Sequence, residues 1–113
     1  MSAPEPMPHG LKTVADCFGI EVRLTAERMA HILEHPEMNE MAAEIDQLLA
    51  ALQIVRRARS DDAVRLFYGF TPQTIIGAKW LCVVVKYTES DAFVLTAYLT
   101  DKPKLGAPLW PIS

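Results

Sequence analysis

The strongest constraint on the fold is residues 79–101, KWLCVVVKYTESDAFVLTAYLTD. Two runs rich in β-branched and aromatic residues flank a short polar connection, TESD, at residues 88–91. Such a pattern predicts a β-hairpin. Successive strand residues point to opposite sides of a sheet, so the second run is predicted to have one core face and one hydroxyl-bearing face. The predicted core set is Phe93, Leu95, Ala97 and Leu99, and the predicted hydroxyl-bearing set is Val94, Thr96, Tyr98 and Thr100.

The length of 113 residues, half of them apolar, predicts a single domain that buries a core. We expect a flexible tail over residues 1–10, one α+β domain over residues 11–106 and a C-terminal tail over residues 107–113. No apolar run reaches the roughly 18 residues of a membrane helix, and residues 1–10 lack a signal-peptide pattern. We therefore expect a cytoplasmic protein without membrane contact, with Cys17 and Cys82 reduced.

Charge is divided unevenly along the chain, although the net charge is only −3. Residues 1–52 carry 3 basic and 9 acidic side chains, whereas residues 53–113 carry 8 basic and 5 acidic ones. The second half is therefore the predicted anion-facing half. Mutual attraction of the two halves is an alternative explanation.

The first half of the chain predicts a short hairpin followed by two helices. Residues 11–24 contain two β-prone pieces divided at Gly19, which can supply the positive φ of a tight turn. Thr25 is a predicted N-cap for a helix that runs to about His35. Pro36 is predicted to end that helix and to open a second one, whose apolar residues repeat every three or four positions.

The second half predicts four consecutive strands, two of them over residues 54–60 and 64–70 and two in the hairpin already described. Short connections pair neighbouring strands antiparallel. The predicted fold class is therefore α+β, with two N-terminal helices packed on a four-stranded antiparallel sheet and preceded by a short β-hairpin.

Basic residues supply the first candidate site. Strands that carry several arginines can bind phosphate in bidentate fashion, or can simply be charged, solvated edges, and both interpretations stay open. Lys86 interrupts the apolar run VVVKY, so its ammonium group must reach solvent, a carboxylate or a ligand. The arginines concerned are Arg56, Arg57, Arg59 and Arg65.

Histidines supply the second candidate site. His31 and His35 are four residues apart, on one face of a helix, which is a spacing that also suits zinc. The sequence offers no third ligand, so we predict no metal and no cofactor. His31 can instead act as a general acid or base, because the pKa of histidine lies near neutrality, and a surface role is the plainer alternative.

Three motifs in this order resemble small bacterial and phage-associated domains of the barnase–EndoU–colicin–RelE-like nuclease superfamily. They are LTAERMAHILEHPE at residues 24–37, VVVK at residues 83–86 and FVLTAYLT at residues 93–100. The similarity extends over about residues 20–106. It implies a metal-independent ribonuclease, toxin-like in many members of the superfamily. It further implies His31 as acid or base, Lys86 and a strand arginine as phosphate ligands, and Thr96 or Tyr98 orienting the scissile group.

The predicted function is therefore RNA cleavage by acid–base chemistry with cationic stabilisation of the phosphorane. An alternative is a non-catalytic module that pairs with a protein partner, such as an antitoxin, or with itself. Net acidity favours this alternative, and so does Gly69, which stands where related domains carry a basic residue. The predicted catalytic residues are His31, Lys86, Thr96 and Tyr98, and the predicted RNA-binding residues are Arg56, Arg57, Arg59, Arg65 and Tyr68.

Overall fold

The computed structural model describes residues 12–50, 54–58, 61–103 and 107–110. The predictions for residues 1–10 and for Arg59 lie outside the described residues. The elements are β1 (Lys12–Ala15), β2 (Glu21–Leu24), α1 (Ala26–Leu33), a 3-10 turn (Pro36–Met38), α2 (Ala42–Ala50), β3 (Ile54–Arg57), β4 (Val64–Thr71), β5 (Lys79–Tyr87), β6 (Ala92–Thr100) and β7 (Ala107–Trp110).

The described strands form one mixed sheet in the order β1-β2-β6-β5-β4-β3-β7. The predicted four-stranded antiparallel sheet with a separate hairpin is therefore wrong. The hairpin β1–β2 joins the sheet through a parallel pairing of β2 with β6, in which Arg23 lies opposite Phe93. At the other edge, β7 pairs with β3, although its residues were predicted to be tail. Both additions satisfy backbone groups that a four-stranded sheet would leave unpaired along its edges.

In chain order, the two helices follow β2 and precede β3, and both of these strands belong to the same sheet. The prediction of two N-terminal helices that precede the whole sheet is therefore also wrong. Helix α1 contacts β6, and α2 contacts β1, β4 and β5. Apolar residues of both helices share one buried cluster with the strands, and the helical members include Ile32, Ile45, Leu48 and Leu49. Within the described residues, neither helix is long and apolar enough to span a bilayer.

Local sequence explains where the helices begin and end. The predicted N-cap is confirmed, because Thr25 Oγ1 accepts a hydrogen bond from Arg28 N at 3.0 Å. The predicted second helix is wrong at its start. Pro36 opens only a 3-10 turn, and α2 begins at Ala42 after buried Met38 and Met41 have anchored the intervening chain in the core.

A β-bulge interrupts the hairpin that dominates the sequence. Val85 pairs with Val94 and Val84 pairs with Thr96, which leaves Leu95 as an extra residue without an opposite partner. Side chains before the bulge therefore point to the opposite side from the one that simple alternation predicts. The predicted core set is wrong at Phe93 and Leu95, and the β6 residues packed in the core are Ala92, Val94, Ala97 and Leu99.

The pairing pattern gives the sheet an inner face, which packs on the helices, and an outer face. Cross-strand partners share a face, so the core residues identify the inner side. Inner-face residues include Val22, Val55, Phe67, Leu81, Val83, Val85, Val94 and Ala97. Outer-face residues include Arg23, Arg56, Leu66, Tyr68, Trp80, Cys82, Val84, Lys86, Phe93, Thr96 and Tyr98.

Candidate functional site

The outer face brings together five of the residues predicted from the sequence. In one row across the sheet, Lys86 lies opposite Phe93. In the next row, Thr96 of β6 pairs with Val84 of β5. Val84 pairs with Leu66 of β4, and Leu66 pairs with Arg56 of β3. The gathered residues are Arg56, Tyr68, Lys86, Thr96 and Tyr98.

Lys86 reaches a carboxylate at the edge of this face. Its Nζ donates to Asp61 Oδ2 at 3.1 Å, and the two side chains remain 37% and 42% exposed. Asp61 lies in the connection between β3 and β4, where its Oδ1 accepts from Ala63 N at 2.9 Å. The Ala63 N–H, and secondly Lys86, hold the pKa of Asp61 below its ordinary value. The pair is therefore an accessible ammonium group beside an ionised carboxylate.

Arg23 extends the cationic character of the outer face on the far side of Phe93. Its Nε and Nη2 donate to Asp91, with a shortest distance of 2.5 Å, and its guanidinium lies 5.5 Å from the Phe93 ring centroid. The hydrogen bond from Arg23 lowers the pKa of Asp91. Arg23 was missed from the sequence because its place depends on the parallel pairing of β2. Its alternation with buried Val22 and Leu24 was the available signal.

Aromatic hydroxyl groups form the third row. Tyr98 lies opposite Cys82, which lies opposite Tyr68, and the last two residues are fully buried. Burial, followed by hydrogen bonding to Cys82, raises the pKa of Tyr98 above its ordinary value. Tyr98 is therefore a neutral phenol over the whole physiological pH range.

Arg56, on the same face, has a buried nitrogen that the described part of the fold leaves without a hydrogen bond. Its Nε is buried and has no hydrogen-bond partner among the described residues. A buried donor without a partner costs free energy.

Comparisons with known proteins add no relative. No family model matches the chain. Searches among curated proteins and among solved structures also found no match. The resemblance to the RelE-like nucleases therefore stays a prediction, and the outer face must be interpreted from its own chemistry.

His31 does not join the outer-face residues. It lies on α1, in the layer that covers the inner face, and its exposed ring has Nδ1 3.6 Å from Glu34 Oε2. The sheet therefore separates His31 from Lys86. Within the described ranges, no group of three histidine, cysteine or carboxylate side chains is arranged to hold a metal ion.

Arg57 and Arg65 face each other across β3 and β4 on the inner side. The Arg65 guanidinium lies 4.3 Å from the Tyr87 ring centroid and 5.3 Å from that of Phe18, next to a cavity of about 620 Å³. This cluster is a second cationic position on the inner side, and Arg23, which lines the same cavity, lies between it and the outer face.

Buried Asp16 holds the surroundings of Arg65 in place. Asp16 Oδ1 accepts from the backbone N–H groups of Phe18 and Ile20 at 2.9 and 2.8 Å, and its Oδ2 accepts from Tyr87 Oη at 2.6 Å. Gly19, with a φ of +83°, completes the turn as predicted. The available signal for this structural role was an aspartate just ahead of a turn glycine.

Proposed function

We propose that the protein binds single-stranded RNA on the outer face of its sheet. The observation that carries this proposal is the row Arg23–Phe93–Lys86, in which an aromatic ring lies between two partly exposed cations. Single-stranded nucleic acids bind by stacking their bases on aromatic rings while cations contact the phosphates.

The neighbouring rows supply further contacts of the same kind. Thr96 is exposed and offers a hydroxyl that can donate to, or accept from, a base or a ribose 2′-hydroxyl. Trp80 adds a second partly exposed ring along β5, and Arg56, which is also partly exposed, lies at the end of the row that begins at Thr96. Tyr68 points to the same face but is fully buried, so RNA cannot contact it directly.

The ion pairs on the outer face leave its cations accessible to phosphate. Both Lys86 and Arg23 are paired with carboxylates, but all four side chains are more than a third exposed. Exposed ion pairs contribute little to stability. A phosphate group can therefore share or replace the carboxylate without a large loss in folding free energy.

The outer face is better suited to binding than to proton transfer. The pKa of Asp61 is lowered and the pKa of Tyr98 is raised, so both groups are far from the neutral pKa that acid–base catalysis needs. His31, the predicted acid or base, lies beyond the opposite side of the sheet. We therefore place RNA binding ahead of RNA cleavage.

Metal-independent RNA cleavage is the second candidate function. The observation that favours it is that Lys86, Thr96 and Tyr98, three of the four predicted catalytic residues, share the outer face. Lys86 would supply positive charge to the phosphorane, and Tyr98 would donate a hydrogen bond.

The test is fluorescence anisotropy of a labelled single-stranded RNA of about 12 nucleotides, a length typical of such sites, measured in EDTA. We expect saturable binding that is weakened severalfold in Lys86→Ala. Loss of one phosphate contact should also reduce the salt dependence, by about 0.7 in the slope of log K against log salt concentration.

Lys79→Ala is the matched control. Lys79 lies on the same strand as Lys86 and also pairs with an aspartate, Asp101, but its partner position on β4 belongs to the inner face. Its replacement should leave RNA affinity unchanged. Equal losses in the two lysine variants, or no saturable binding by the wild type, would contradict the proposal.

The same samples separate binding from cleavage. Denaturing gels of the RNA after incubation in EDTA should show intact RNA if the protein only binds. Cleavage that is lost in Lys86→Ala but kept in His31→Ala would assign a nuclease centre to the outer face. Cleavage that requires His31 would refute the separation of the two residues.

A further inference from the structure

The connection between β4 and β5 presents apolar side chains to solvent. Ile75 and Ile76 are 59% and 51% exposed, and Phe70, at the base of the connection, is 49% exposed. These three are the majority of the exposed large apolar residues in the described part of the chain; the other two are Phe18 and Ile20. We call Phe70, Ile75 and Ile76 the loop patch.

Hydrogen bonds within the loop order the turn that carries Ile75 and Ile76. Thr74 Oγ1 donates to Gly77 O at 2.5 Å and accepts from Ile76 N at 3.2 Å. Backbone bonds in both directions between Thr74 and Gly77 close the turn, and Gly77 has a φ of +98° that other residues rarely adopt. The two isoleucines are therefore presented by an ordered turn, which reduces the entropy lost on binding.

Carboxylates stand beside the loop patch. Two adjoining cavities, of about 430 and 340 Å³, lie between the loop and α2 with the segment that leads into it. They share Glu44 and Gln73, and no basic side chain lines either of them within the described residues. We call this pair of cavities the acidic groove; its carboxylates are Glu37, Glu40 and Glu44.

Glu44 has an acceptor that the fold does not use. Its Oε2 is buried and has no hydrogen-bond partner in the described part of the chain. A carboxylate oxygen in this condition is stabilised by a charged donor such as lysine or arginine.

We propose that the loop patch and the acidic groove together dock a cationic amphipathic segment of a protein partner. Apolar side chains of the segment would cover Phe70, Ile75 and Ile76, while its lysines or arginines would pair with the groove carboxylates. The charge of the groove selects this occupant, because complementary potentials favour a basic partner and disfavour an acidic one. The same carboxylates repel RNA, so the two surfaces select different partners, although the Phe70 ring borders the outer face through its edge-to-face contact with Trp80.

The test starts from a random peptide display library selected against the full chain. We expect enrichment of peptides with lysine or arginine beside apolar residues at helical spacing. A labelled enriched peptide should bind in an anisotropy assay and lose about tenfold or more in affinity with the variant Ile75→Ser/Ile76→Ser, as expected of central apolar contacts. Glu40→Lys, as a separate single variant, should also weaken peptide binding and should reduce the dependence of peptide affinity on salt concentration.

Two control variants show that the effect belongs to this surface. Ile20→Ser removes another exposed apolar side chain at a distance from the loop, and Lys86→Ala alters the proposed RNA site. Both should bind the peptide as the wild type does. Thermal melting of each variant would show that it is folded, which is expected because the substituted side chains are all partly or largely exposed.

Three outcomes would overturn the proposal: no enrichment, enrichment of neutral or acidic peptides, or binding insensitive to Ile75→Ser/Ile76→Ser. Sedimentation analysis adds a fourth. A dimer of the wild type that dissociates in the same double variant would assign the loop patch to a second copy of the chain instead.

Discussion

Removing the hydroxyl of Tyr87 tests how the N-terminal hairpin is fixed to the rest of the sheet. The Tyr87 hydroxyl donates to Asp16 Oδ2 at 2.6 Å across 71 residues of sequence. Asp16 is only 5% exposed and receives two further hydrogen bonds from the backbone of its own turn. Tyr87→Phe deletes one of these three bonds and preserves the ring that lies against Arg65.

The expected cost follows from the charge and burial of the partners. A hydrogen bond to a charged group contributes about 1.5–3 kcal/mol net. Because Tyr87 is only half-buried, water can partly replace it, and we expect Tyr87→Phe to cost about 1.5–2 kcal/mol. Asp16→Ala removes all three bonds, so it should cost about 3–4 kcal/mol.

The assay is urea unfolding of wild type, both single variants and the double variant. A constant m value would allow the unfolding free energies to be compared directly, and the cycle should give a coupling of at least about 1 kcal/mol. Thr88→Val, which removes an exposed hydroxyl, should change stability by less than about 0.5 kcal/mol. A Tyr87→Phe variant as stable as that control, with no coupling to Asp16, would refute the reasoning.

Two further predictions concern alkaline pH and the bulge. The pKa of Tyr87 is raised on folding by burial and by Asp16, so its contribution to stability is complete below the unfolded pKa of about 10 and falls by about 1.4 kcal/mol per pH unit above it. Above that pH, the unfolding free energy of Tyr87→Phe should fall less steeply with pH than that of the wild type, by the same amount per pH unit. Equal slopes for the two proteins, measured by urea unfolding at a series of alkaline pH values, would contradict this prediction. Deleting Leu95 should give a cooperatively melting protein, because removing the bulge residue leaves both faces of β6 unchanged. Deleting Ala97 moves Thr96 into the core and should lower the melting temperature far more.

Patterns within short stretches of the sequence predicted the elements well. Thr25 and the apolar spacing predicted α1, and the two β-prone runs predicted the hairpin of β5 and β6. The sheet as a whole could not be predicted in this way. The parallel partner of β2 lies far along the chain and leaves no local pattern. The bulge at Leu95 could not be predicted from alternation either, because Val94, Leu95 and Thr96 are all residues that suit a strand.

The candidate site shows the same division. Lys86, Thr96 and Tyr98 were predicted together, and they do share a face, although the bulge makes Phe93 share it as well. His31 lies on α1, in the helical layer on the inner side, and spacing in sequence could not predict this because it does not say which face of the sheet a helix covers. Arg23 and the Asp16–Tyr87 bond were missed because each depends on a partner about 70 residues away.

The parallel pairing of β2 with β6 also governs when the fold can be completed. Arg23 and Asp91 are 68 residues apart, so a ribosome adding 5–20 residues per second needs roughly 3–14 s to supply the second after the first. Until then, Val22 and Leu24 lack the strand they will finally lie beside. The segment synthesised early is therefore among the last to be secured. During that interval, the nascent hairpin is open to chaperones and to misassembly with neighbouring chains.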